Sequence, residues 1–238
     1  MNSFKSFYLF ALFLGGNIGL CFAHALYIDT NSEGKPGEVH NVNIYYSEFA
    51  DKTHEKVADW YSDAADLELW LVQPNGTRVL LETQVKNDHL SASFVPNEKG
   101  IYRLEISHTT ADVAEGTAYQ FNAFAQISVG NSGKTAPIGT KSPDLVLVQQ
   151  LPANNDQTKT FTTYFKGAVK EGVSATLFLP SGETKTLESN AEGIIEFSSN
   201  EEGIHFLEAT TYHKSEAGKT KKEAYQAIWR AATQKIVL

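Results

Sequence analysis

Sulfur is almost missing from this chain: its 238 residues hold one cysteine, Cys21, and one methionine, Met1. Both fall in residues 1–23, where Lys5 precedes an apolar run from Phe7 to Phe22 that ends in Cys21-Phe22-Ala23. That is the pattern of a secretory signal peptide cleaved after Ala23. The expected mature chain starts at His24 and has neither thiol nor thioether. Disulfide staples, cysteine nucleophiles and sulfur-ligated metal sites are thereby excluded. Long apolar runs are missing beyond residue 23, so no further segment is expected to span a bilayer and no membrane anchor should remain after cleavage. Basic residues gather only at Gly218-Lys219-Thr220-Lys221-Lys222, read as a solvated hairpin tip. With 20 Lys and Arg against 28 Asp and Glu, and a net charge of −8, nucleic acid is a poor partner, whereas cations and neutral molecules suit the chain. No Gly-x-Ser-x-Gly elbow and no phosphate-cradling glycine loop occurs, and no carboxylate pair stands in a motif that assigns acid and base roles. The chain is not expected to be an enzyme.

What is present is a repeat. Leu71-Val72-Gln73-Pro74-Asn75-Gly76 returns as Leu177-Phe178-Leu179-Pro180-Ser181-Gly182, Gly100-Ile101 as Gly203-Ile204, and Tyr119-Gln120 as Tyr225-Gln226. The shift stays near 105 residues, too long for a solenoid repeat and the size of a small domain. Within each copy, short alternating stretches separated by turn residues predict strands, among them Ala25 to Thr30, Asp66 to Val72, Gly100 to His108, Tyr119 to Val129 and Ile204 to His213. About seven strands per hundred residues point to an immunoglobulin-like sandwich. The expected fold is all-β, with two tandem immunoglobulin-like β-sandwich domains at 24–130 and 143–238, joined by a glycine-rich linker at 131–142. Leu104 and Leu207 should be equivalent core residues. One stretch breaks the pattern. Residues 49–65 carry Asp51, His54, Glu55, Asp59, Trp60 and Asp63 with few β-formers, either as a functional excursion or as a solvated acidic loop with room for a short helix.

All seven histidines lie beyond residue 23. His24, as a mature N-terminus, offers both an α-amino group and a ring nitrogen, which with another imidazole or a carboxylate could hold Cu(II), Ni(II) or Zn(II). Strand alternation places His108 at the far end of the Tyr102, Leu104, Ile106 face, and His213 at the matching end of the second copy. The candidate metal ligands are therefore His24, His108 and His213. Glu105 and Glu208 fall on the opposite strand face and are set aside as ligands. Each histidine also has a plain reading, as a hydrogen-bonded residue at a strand end.

The start Ala23-His24-Ala25-Leu26-Tyr27-Ile28 resembles that of a bacterial periplasmic family of unknown function associated with nickel or cobalt uptake. The second copy is similar to it through Gly193, Gly203-Ile204, Leu207-Glu208-Ala209 and the strand from Tyr225 to Thr233. The resemblance implies a periplasmic or secreted protein that binds or delivers a divalent transition metal (nickel, cobalt, copper or zinc) beside a membrane metal importer. The alternative is a structural, adhesive or carbohydrate-binding sandwich without metal, for which Trp60, Trp70 and Trp229 are the candidate stacking surfaces.

Overall fold

The computed structural model describes residues 24–49, 54–130, 142–150 and 158–238. The expected signal peptide and residues 131–141 of the expected linker lie outside the described residues. The first copy contributes β1 (Ala25–Thr30), β2 (Glu33–Gly34), β3 (His40–Ser47), β4 (Leu69–Val72), β5 (Arg78–Leu81), β6 (Gln84–Val85), β7 (Leu90–Phe94), β8 (Gly100–Thr109) and β9 (Thr117–Val129). The second contributes β10 (Leu145–Gln150), β11 (Thr158–Phe165), β12 (Ala168–Val169), β13 (Ser174–Phe178), β14 (Thr184–Glu188), β15 (Ile194–Ser198), β16 (Ile204–His213), β17 (Gly218–Lys219), β18 (Ala224–Tyr225) and β19 (Ala227–Val237).

The two copies fold alike, as tandem immunoglobulin-like sandwiches. In the first, a sheet β1-β3-β7 faces β5-β4-β8-β9; in the second, β10-β11-β15 faces β14-β13-β16-β19. The registers match residue for residue: Leu71 pairs with Leu104 across β4 and β8, and Leu177 with Leu207 across β13 and β16. Leu104 and Leu207 are both fully buried. Alternation explains each inner face. Leu69 and Leu71 point into the first core with Tyr102, Leu104 and Ile106, whereas Ala175, Leu177, Leu207 and Ala209 line the second.

The copies are not separate beads. The last strands of the two sandwiches, β9 and β19, pair in parallel from Thr117↔Ala227 to Phe124↔Gln234, so one continuous sheet runs through both. Parallel pairing of equivalent strands requires the two halves to be related by a rotation about an axis along the strands, which turns the sheet over. The side chains obey this. Phe121, Ala123, Ala125 and Ile127 of β9 enter the first core, while Phe124 enters the second; Ala231 of β19 enters the first, while Ala232 and Ile236 enter the second. The covering sheets therefore lie on opposite faces of the shared sheet. Its central strands are buried on both faces, as in parallel sheets generally.

The acidic stretch is partly core rather than a solvated loop. Among its described residues, two 3-10 turns (Val57–Asp59 and Ala64–Asp66) carry Val57, Trp60 and Ala64 into the first core. The basic tip from Gly218 to Lys222, which composition alone would leave in solvent, docks on the first sandwich. Thr220 donates to the Ala111 carbonyl at 2.6 Å, Lys221 meets Asp63 at 2.9 Å and Lys222 meets Asp112 at 2.9 Å.

Candidate ligand site

Turning the sheet over leaves each half with one face not covered by its own sandwich. On the second half that face is made by Thr176 and Phe178 of β13, Thr184 and Thr186 of β14, and Phe206, Glu208, Thr210 and Tyr212 of β16. The first sandwich stands beside it as a wall, built from Ala25, the segment Ser47 to Phe49 and the hairpin between β8 and β9. Glu115 and Gly116 form the tip of that hairpin at φ 50° and 76°, the paired left-handed conformation of a tight two-residue turn. The Gly116 carbonyl accepts from Gln226 and Ala227 at 2.9 and 3.2 Å, which fixes the hairpin to the start of β19. The half-open cleft measures about 730 Å³, within the range of small-molecule sites.

Aromatic rings and threonines share the walls. Phe49 stacks on Phe206 with centroids 4.5 Å apart, Phe178 lies 5.9 Å from Phe206, and Tyr119 lies 5.9 Å from Trp229 at the seam. Among the described residues three carboxylates, Glu48, Glu115 and Glu208, reach the lining, and no Lys, Arg or His does. Glu208 stands apart. The residue is half-buried, its carboxyl is largely screened from water without a counter-charge from the described residues, and burial pushes its pKa up to about 7.

The internal repeat explains why. Glu208 and Glu105 occupy the same position in the two copies, one residue after the paired core leucines. In the first copy Glu105 is fully buried and receives Arg103 Nε at 2.7 Å and Arg78 at 3.3 Å, with Arg78 laid over the Trp70 ring at 4.7 Å. In the second copy the register puts Phe206 where Arg103 would be and Thr184 where Arg78 would be. The acid is kept and both of its bases are replaced. Alternation alone sets Glu208 aside, because it points away from the core. The signal that recovers it is the comparison between copies, and it is legible only once the pairing register is known.

The sequence-predicted histidines go to three different surroundings. His24 lies with Nε2 at 2.7 Å from Glu55 Oε1 and stacks on Tyr46 at 5.6 Å. His108 is buried, with Nε2 at 3.0 Å from Asp63 Oδ1. His213, in the second sandwich, stacks on Phe165 at 4.8 Å. They do not converge, and among the described residues no three His, Cys, Asp or Glu side chains form a group that could hold a metal ion. Of the tryptophans, Trp60 is buried in the first core, Trp70 is half-covered beneath Arg78, and Trp229 reaches the cleft.

No family model matches the chain, and no curated protein matches it. Among solved structures it is similar to a DUF4785 family protein from Legionella pneumophila, at 14% identity over 76% of this chain and 50% of that one, with a TM-score of 0.32. It is also similar to two structures of Salmonella alpha-2-macroglobulin, one reacted with methylamine and one a Y1175G mutant. Each shows 11% identity over 91% of this chain and 15% of that one, with TM-scores of 0.29 and 0.28. The chain thus spans half or less of the length of these proteins.

Proposed function

We propose that this chain is a binding module rather than an enzyme, and that its ligand sits in the cleft between the two sandwiches. One observation carries the reading. Flipping the shared sheet creates a cleft of about 730 Å³ lined by aromatic rings and threonines from both copies. Aromatic walls supply large apolar contact at low conformational cost, and threonine hydroxyls supply orientation. The test is a thermal-shift screen of small molecules of mixed charge against the intact chain and a Thr210→Trp variant whose indole occupies the cleft. Compounds that raise the melting temperature of the parent should lose that effect in the variant. If no compound acts, or if all act equally on both proteins, the cleft is not a ligand site.

A second reading is favoured by a different observation: His24 and Glu55 bring an imidazole and a carboxylate together with 40% and 36% of their side chains exposed. In this reading the chain is a periplasmic carrier of nickel, cobalt, copper or zinc that works beside a membrane importer. His24 supplies its ring and, after cleavage behind Ala23, its amino group. Titrating each metal into the cleaved chain and into one extended by a single residue separates the readings. Equal affinity of the two forms would remove His24 as an N-terminal ligand.

A further inference from the structure

We propose that the cleft takes an organic cation, an ammonium or guanidinium on an apolar body, with Glu208 as its counter-ion. The inference rests on the ligand-binding reading above and deepens it.

The first argument comes from the two copies. At the Glu105 position of the first sandwich the fold satisfies a desolvated carboxylate with two guanidinium groups, Arg103 and Arg78. At Glu208 the fold is the same and the carboxylate is retained, yet Phe206 and Thr184 stand in place of the arginines. No hydrogen bond or ion pair to Glu208 replaces them among the described residues. An uncompensated carboxylate in such surroundings is costly. A ligand cation would stand where the guanidinium groups stand in the first copy.

The second argument is the company Glu208 keeps. Tyr119, Tyr212 and Trp229 keep part of their rings exposed in the cleft, where they can attract a cation and cover an apolar body, while Phe178 and Phe206 are buried beneath Phe49. Glu48 and Glu115 at the rim have the same sign as Glu208, and among the described residues the lining holds no basic side chain. The whole chain, at net charge −8, draws cations towards it. An anion would meet three carboxylates, and a neutral molecule could hydrogen-bond Glu208 but would leave its charge uncompensated.

Binding couples to a proton. Among the described residues, the titratable groups that share the cleft with Glu208 are Glu48, Glu115 and Tyr119 of the first sandwich and Tyr212 of its own strand. With burial holding the empty Glu208 carboxyl at a pKa of about 7, a cation must displace its proton below that pH. Affinity should fall up to about tenfold per pH unit below 7 and level off above it.

The experiment uses three probes of one shape on the intact chain: benzyltrimethylammonium, benzyl alcohol and phenylacetate, titrated by Trp fluorescence and calorimetry at pH 6 and pH 8. The expected result is that the cation binds at least about tenfold more tightly than the alcohol at pH 8 and that phenylacetate binds most weakly. Glu208→Gln should remove the advantage of the cation and its pH dependence, leave the alcohol unchanged and keep or raise the melting temperature. Thr184→Arg, at an exposed edge-strand position, returns an internal guanidinium to Glu208 and should also abolish cation binding. Equal binding of cation and alcohol, or cation binding unaffected in Glu208→Gln, overturns the inference and leaves the binding reading standing. Failure of all three probes to bind overturns the inference and counts against the binding reading too.

Discussion

Glu216 shows how single residues set the pH response of this protein. It accepts from the buried Arg230 at 2.5 and 3.2 Å and from Lys166 at 2.9 Å, while Asp144 accepts from the same Arg230 Nη2 at 2.8 Å. The Arg230 hydrogen bonds come first, and with Lys166 they outweigh burial and hold the Glu216 pKa down at about 2. A depressed carboxylate pKa contributes stability above its unfolded value, near 4.5, that is lost as pH falls towards the folded one. Glu216→Gln should therefore lower stability at pH 7 by about 1–3 kcal/mol. The gap between variant and parent should close between about pH 4.5 and pH 2. Urea unfolding at several pH values checks this, and a gap that stayed constant to pH 2 would contradict the assignment. At this scale the sequence was partly legible. The core leucines Leu104 and Leu207 follow from alternation, because a strand has only two faces. The partners of Glu216, His108 and Asp63 do not, because each ion pair joins residues far apart in the chain whose meeting depends on tertiary register.

Strands were legible where one face is wet and one is dry, as in β4, where Leu69 and Leu71 are buried and Trp70 is half-exposed between them. The shared seam left a fainter mark. Phe121, Ala123, Phe124, Ala125 and Ile127 are buried on both sides of β9, as are Ala231, Ala232 and Ile236 on β19. Such near-continuous apolar runs mark a strand covered on both faces, yet nothing local says which strand lies beside it. Small residues concentrate there because two cores press on one sheet. Ala231, fully buried on β19, projects into the first core, so it is a contact between the copies made by a single methyl. Ala231→Leu should overpack that contact and cost about 1–3 kcal/mol in equilibrium unfolding. An unchanged denaturation midpoint would mean that the seam is looser than the register of β9 and β19 requires.

For the whole molecule, the repeat made two sandwiches readable, but the reading stopped at a linker. Their fusion rests on contacts between residues 109 and 207 positions apart: Asn122 Nδ2 donates to the Ala231 carbonyl at 2.8 Å, and the Thr233 hydroxyl to the Leu26 carbonyl at 2.6 Å. The docked tip at Thr220, Lys221 and Lys222 adds a second fastening on the first sandwich. Two consequences follow for stability. The intact chain should unfold in one calorimetric transition, because losing either sandwich exposes the long edge strand of the other. Residues 24–130 and 142–238, produced separately, should each melt below the intact chain and self-associate through the bare edges of β9 and β19, since a long unpaired apolar edge templates pairing. Mixing the two pieces should restore a one-to-one complex through the same parallel register. Sedimentation and calorimetry of the pieces and their mixture decide the matter: two monomeric fragments that melt like the parent, with no complex on mixing, would show that the shared sheet contributes little to holding the molecule together.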